Sequence, residues 1–292
     1  MSHISVFLFG RFELHTDHSI AMIDGHRLQE LLAYLLLNMS HPQPRELVAD
    51  TILHEACPEQ SRRAMRQALW KLQKHLEPMH LLDVDPTFIG IRPASHLELD
   101  VTAFESAYEA TRGQRGADLD ATKAERLMAA DARYRGDLLE GWYADWCLLE
   151  RERLAVMHVA ILNKLTAWCA WNDRYEDGVQ FGHRALRHDP AHERTHRHLM
   201  RLHALAGDRC LALRQYRLCV QALREQLDVA PEARTDTLYQ QIAAGSFAPS
   251  WSDSRRAEIL HRQEQVRDLN DTLLSLSVRL REIEERLSLN GR

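Results

Sequence analysis

At 292 residues, 45% apolar and 27% charged, the chain has the length of two domains and the composition of a globular protein. Its net charge of −5 excludes a strong global attraction to nucleic acid or anionic lipid, so any such binding must rest on a local basic surface. Five cysteines without a C-x-x-C pair suggest neither a disulfide framework nor a cysteine zinc site, and they are read as buried thiols in a reducing cytoplasm. The start lacks the basic region and cleavage site of a signal peptide, and no segment approaches the ~20 apolar residues needed to span a bilayer. The expectation is a cytoplasmic protein without a membrane partner.

In residues 4 to 14, Ile4, Val6, Phe7, Leu8 and Phe9 precede a Gly10-Arg11 break, and Phe12 and Leu14 then alternate with polar residues. This predicts paired short strands. Leu28, Leu31, Leu32, Tyr34, Leu35, Leu36 and Leu37 give a helix over 27–38 that is apolar over most of its circumference, hence central in a core. After His41-Pro42-Gln43-Pro44 a short helix is predicted over Arg45 to Leu53 and a longer one over 59–77.

That longer helix, EQSRRAMRQALWKLQKHLE, places Met65, Ala68, Leu69, Leu72 and Leu76 on one face. Arg63, Gln67, Trp70 and Lys74 fall on the opposite face, with Arg66 and Lys71 beside them. A basic helix face taken alone is most often only solvated. Here the order decides otherwise. A short helix, a long basic helix and then the strand-turn-strand LLDVDPTFIGIR (81–92) form the pattern of a winged helix-turn-helix.

From Leu97 to Ile242 the pattern is helical, broken by turns. Asn172-Asp173-Arg174 and Gly207-Asp208-Arg209 place two Asp-Arg pairs 35 residues apart, close to the ~34-residue period of tetratricopeptide repeats. Gly178, Phe181 and Ala185 follow the first turn, and Ala212, Tyr216 and Leu223 the second, small residues admitting a partner helix and large ones filling the gap. The segment reads as a short α-solenoid with a concave binding surface. Within it HERTH (192–196) has the H-E-x-x-H form of a zinc hydrolase, with His192 and His196 as ligands and Glu193 as base. The third ligand of the longer zincin pattern is missing, because positions 199 and 202 are Leu199 and Leu202. Zinc hydrolysis is therefore a remote alternative, and no catalytic or metal-binding residues are assigned.

GSFAPSWSDS (245–254) is a linker. Beyond it Ile259, Val266, Leu273, Leu280 and Leu287 recur every seven residues, with Leu269, Leu276 and Ile283 between them. This seam predicts a coiled coil over 255–290, joining chains as a homodimer or higher homo-oligomer; folding back onto the solenoid is the alternative.

FGRFEL (9–14), RELVAD (45–50), CPEQSRRAMRQALWKLQKHLE (57–77), LDVTAFE (99–105), YRGDLLEGWYADWCLLERERL (134–154) and DPAHERTHRHLM (189–200) together resemble one family. It comprises the bacterial regulators that join an OmpR-like winged helix to a bacterial transcriptional activator domain, as in the Streptomyces antibiotic regulatory proteins. The resemblance implies a mainly α chain with an α+β winged helix over 1–96 and a tetratricopeptide-like activator domain over 97–244. It further implies promoter DNA binding, often at direct repeats, help in recruiting RNA polymerase, and neither enzyme activity nor a cofactor. Arg63, Gln67 and Lys74 are the candidates for reading base edges, and Arg45, Arg62, Arg66 and Lys71 for phosphate contacts. Trp70 suits either a thymine methyl or packing against the wing or solenoid. Asp83 and Asp85 in the wing turn argue against a minor-groove contact there, and Gln73 stands where a further basic residue is common. The competing reading is a tetratricopeptide-like interaction scaffold that does not bind DNA.

Overall fold

The computed structural model describes residues 3–17, 19–20, 23–53, 57–76, 81–92 and 96–248. Contacts divide the chain into two units, Met1–Thr235 and Asp236–Arg292. The linker's last residues and the heptad seam of Ile259, Val266, Leu269, Leu273, Leu276, Leu280, Ile283 and Leu287 lie outside the described residues.

The alternation in the first fifteen residues produces β1 (Ile4–Phe7) and β2 (Glu13–Thr16), antiparallel with Val6 opposite Leu14, followed by β3 (Ser19–Ile20). Ile4, Val6 and Leu14 point into the core, each at most 2% exposed. Next come α1 (His26–Leu37), β4 (Gln43–Pro44), α2 (Arg45–Ile52), α3 (Pro58–Leu76), and the hairpin β5 (Leu82–Val84) and β6 (Phe88–Ile91). The Pro-flanked break after α1 does more than end the helix, because β4 pairs with β6 in a second sheet ordered β4-β6-β5. The arrangement is a winged helix-turn-helix.

Residues 97–99, grouped by pattern with the helices, form a strand instead. This β7 (Leu97–Leu99) runs parallel to β1 and completes the first sheet in the order β3-β2-β1-β7. Three residues carry too little periodicity to announce a strand whose partner lies more than ninety positions away. Helices α4 (Asp100–Glu109), α5 (Ala121–Arg133), α6 (Asp145–Trp171), α7 (Tyr175–His188), α8 (Glu193–Leu205), α9 (Arg209–Leu227) and α10 (Ala233–Ala244) follow. By length and composition α6 is apolar enough to cross a membrane. It is the core helix here, with Leu154, Ile161, Leu162 and Leu165 fully buried.

Consecutive helices from α6 to α9 pack pairwise. The turns before α7 and α9 are equivalent: Asp173 and Gly207 both have positive φ, 58° and 86°, and the next N–H reaches back five residues in each, Arg174 to Cys169 O and Asp208 to His203 O. The structural repeat is therefore 34 residues, one shorter than the Asp-Arg spacing. Gly178 admits the α8 side chain Leu202, as its position predicts. Gly182 admits Leu199 more tightly, since a Cβ there would lie 2.6 Å from Leu199 Cδ2.

The winged helix and the helical region share one core through three seams. The Asp100 carboxylate accepts the Leu8, Phe9 and Val101 N–H groups at 2.8–3.0 Å. The Phe9-Gly10 corner pairs with the loop between α5 and α6: Gly10 N to Asp137 O, Leu139 N to Leu8 O and Glu140 N to Gly10 O, all within 2.9 Å. On the far side of that loop, Arg151 donates to the carbonyls of Leu138, Leu139 and Trp142, each at 2.9 Å. Third, Trp146 Nε1 donates to Glu30 Oε1 of α1 at 3.1 Å, and its ring meets Tyr34 edge-on. Cys147, Cys169 and Cys219 are buried as expected of free thiols, but Cys57 is half-buried and Cys210 exposed. Cys210 sits in the first turn of α9.

Candidate nucleic-acid interface

Helix α3 docks by Met65, Leu69, Leu72 and Leu76, each at most 4% exposed, together with Ser61. Three- and four-residue steps then force the opposite side outward. Arg62, Arg63, Arg66, Gln67, Trp70, Lys71 and Lys74 are all exposed. Arg63, Gln67, Trp70 and Lys74 form the centre of this face, with Arg62 and Arg66 on one flank and Lys71 beside them. Among the described residues, the ion pairs on this surface reduce to Arg62 with Glu46 at 3.2 Å, both strongly exposed. Such a pair is worth little and yields to a phosphate. Arg63, Arg66, Lys71 and Lys74 have no carboxylate within 4 Å among the described residues, which leaves a local cationic surface on a chain of negative net charge.

Trp70 packs against neither wing nor solenoid. It is 63% exposed, with Lys74 Nζ 5.7 Å from its ring centroid. A large aromatic held open among cations suits stacking or apolar contact with a nucleic acid better than core packing.

The wing is tied to the helices through Arg45. Its N–H donates to Thr87 O at 2.9 Å, and its guanidinium to Asp85 O at 3.1 Å. Asp85 itself builds the turn: Oδ1 accepts the Thr87 and Phe88 N–H groups at 2.6 and 2.7 Å. Those bonds, aided by Arg45, hold its carboxyl below the usual range. The acid expected to repel phosphate is thus a turn former, a role legible in Asp-Pro-Thr. Asp83 has Arg92 at 3.5 Å. Arg45, Arg62 and Arg66 line one small concavity with Met65 and Pro86 between α2, α3 and the wing turn. Of the candidates, Arg45 is engaged with the wing and Arg62 with Glu46.

His192, Glu193 and His196 of HERTH are engaged elsewhere. His192 precedes α8 as its N-cap residue, and its Nδ1 meets Thr195 Oγ1 at 2.7 Å. His196 is 3% exposed; Nε2 donates to Pro190 O at 2.9 Å, and Nδ1 accepts from Gln215 Nε2 at 2.7 Å. Glu193 accepts from Arg197 at 3.1 Å and from Glu232 N at 2.9 Å. Neither ring nitrogen of His196 is open to a metal, and Glu193 is committed to holding the start of α10. No group of three metal-ligating side chains occurs among the described residues.

Residues 99–243 match the family model of the bacterial transcriptional activator domain. The fold is similar to that of Mycobacterium tuberculosis EmbR, solved in complex with a low affinity phosphopeptide, with a TM-score of 0.69 at 18% sequence identity, over 92% of this chain and 72% of that one. No curated protein matches the chain.

Proposed function

We propose that the chain, whose residues 99–243 match the bacterial transcriptional activator domain, is a transcriptional regulator whose winged helix over residues 1–96 binds promoter DNA by α3. The observation that carries this is the exposed cationic face of α3, the second helix of the helix-turn-helix, where Arg63, Arg66, Lys71 and Lys74 have no carboxylate within 4 Å among the described residues. Arg63, Gln67 and Lys74 read base edges in the major groove; Arg62, Arg66 and Lys71, with Arg45 at the wing, contact phosphates. The heptad seam over 255–290 pairs two chains and multiplies a modest monomer affinity through effective concentration. Activation, by contact of the solenoid over 97–244 with RNA polymerase, is the outcome that the family's domain supports, and the cytoplasm is where such a regulator works.

The test is selection of bound sequences from a random DNA pool by the full chain, with the Arg63→Ala, Lys74→Ala double variant beside it. A paired motif enriched by the wild type and lost in the variant is expected. Arg63→Ala should cost ~1–3 kcal/mol at one base position, whereas Arg66→Ala should weaken binding to all sequences and lower the salt slope by about 1. No enrichment at low or physiological salt would refute DNA recognition by α3. A paired motif bound equally well after removal of 255–292 would refute pairing by the tail.

A further inference from the structure

A cleft of about 890 Å³ runs along α6, between the turn after α4 and the turn joining α7 to α8. Its volume lies in the range of small-molecule sites. Its floor is apolar: Ala155, Val156, Val159 and Ala160 face it, and Val156 is 60% exposed.

One end is cationic and ordered. Lys164 Nζ donates to Thr111 O at 2.5 Å and Thr111 Oγ1 at 3.1 Å, and it lies 5.3 Å from the Tyr108 ring centroid. An ammonium has three donors, so one stays unspent. Arg194 lies at the same end, because Thr195 Oγ1 donates to Asn163 Oδ1 at 2.7 Å and that bond joins the immediate neighbours of Lys164 and Arg194. Neither cation has a carboxylate within 4 Å among the described residues.

Arg194 and Arg201 carry positive charge along α8, with the neutral His198 between them at i+4 on the same helical face. His198 Nε2 is buried with no hydrogen-bond partner among the described residues. Burial and the surrounding Arg201, Arg194 and Arg197 hold its pKa down to about 3. Arg201 is half-buried with only like charges as electrostatic neighbours. The nearby acids are bonded elsewhere: Asp137 accepts from Tyr134 OH, Asp189 from Ala191 N, and Glu109, which acts on Lys164 at longer range, pairs with Arg112 at 3.3 Å. Glu152 lies twelve residues before Lys164, ~18 Å away along the helix.

We propose that this cleft binds a small amphipathic organic anion, its acidic head between Lys164 and Arg194 and its apolar body along α6. The far end of the cleft is lined by Asp137 and Arg151, which hold the corner Phe9-Gly10 of the winged helix through the loop described above. Occupancy is therefore felt where the helical region grips the DNA-binding region. This second step rests on the DNA-binding reading; the binding step does not.

Calorimetric titration of the full chain with octanoate, 4-phenylbutyrate and octyl phosphate tests binding, with uncharged octanol as control. At least one acid should bind saturably with Kd below about 1 mM, and octanol about tenfold more weakly or worse. The carboxylates and the phosphate separate the two head groups. Lys164→Gln with Arg194→Gln should lower acid affinity by about tenfold or more. Val156→Asp, at an exposed position that folding tolerates, should do the same by placing a negative charge on the floor. Absence of saturable binding by every acid, equal binding of octanol, or indifference to both sets of substitutions would overturn the site. If acid binds and DNA also binds, but saturating acid leaves DNA affinity unchanged, the transmission step fails. If acid binds and DNA does not, the DNA-binding reading alone fails.

Discussion

Asp131→Asn tests whether a buried ionic node fixes the helices behind the seam. Asp131 of α5 is 5% exposed and accepts from Arg184 of α7 through both oxygens, at 2.5 and 2.7 Å. It also meets His158 Nε2 of α6 at 2.8 Å, and His158 stacks on Tyr134 at 3.9 Å between centroids. Three helices thus converge on one carboxylate. Removing one partner from a buried ion pair costs about 3–5 kcal/mol, but the Arg184 side chain is one third exposed and recovers some hydration, so about 2–4 kcal/mol is expected. For a unit of this size that lowers the melting temperature by about 5–15 °C. The pH dependence is an independent check. Burial alone would raise the Asp131 pKa, but hydrogen bonds and charge from His158 and Arg184 outweigh it, and the folded value lies below the ordinary one. A lowered carboxylate pKa contributes stability that is present above about pH 4 and is lost as pH falls through the folded value. Thermal denaturation of wild type and variant at several pH values should therefore show a constant gap above about pH 4 that narrows in acid. A variant melting within about 2 °C of wild type at neutral pH, or a gap that does not narrow, would refute the node.

Gly182→Ala should destabilise, although alanine is intrinsically better in a helix by about 1 kcal/mol, because its Cβ meets fully buried Leu199 at 2.6–2.8 Å and such overpacking costs about 1–3 kcal/mol. Urea denaturation showing a gain in stability would remove the close α7–α8 contact from the account. Trp146→Phe should cost about 1–3 kcal/mol by leaving the Glu30 carboxylate without its indole donor, while Glu30→Leu in the same chain should restore most of it. Additivity of the two substitutions in a double-mutant cycle would show that the contact does not couple α6 to α1.

The elements of the winged helix were legible because each satisfies a local rule. The helix of 27–38 appears as His26–Leu37, that of 45–53 as Arg45–Ile52, that of 59–77 as Pro58–Leu76, and the wing as two strands within 82–91. Exposure of every cation on α3 follows from the same periodicity that buries Met65 and Leu72. What escaped is long-range or depends on a single atom. Pairing of Phe9-Gly10 with 137–140 joins two motifs that the family resemblance marked, yet nothing in either segment names the other as its partner. Glu30 interrupts an apolar helix and reads as a surface residue until Trp146, more than a hundred positions on, supplies a donor. HERTH satisfies zinc spacing, and only the bonds of His196 to Pro190 and Gln215 show that its nitrogens are spent. Gly182 carries no local sign that Leu199 fills its place.

These non-local contacts also determine how a displacement in the helical region reaches α3. A winged helix on a loose tether would report only its own concentration near the partner site. Here α3 packs on α1, α1 is gripped through Glu30 and Tyr34 by Trp146 in the first turn of α6, and the following turn carries Arg151, which holds the junction loop. The same helix forms the floor of the cationic cleft. Between that cleft and α3 lie two packed interfaces, that of α6 with α1 and that of α1 with α3. A small displacement of the start of α6 must therefore either move α1 and α3 together or break a buried hydrogen bond, and the latter costs enough to favour concerted movement.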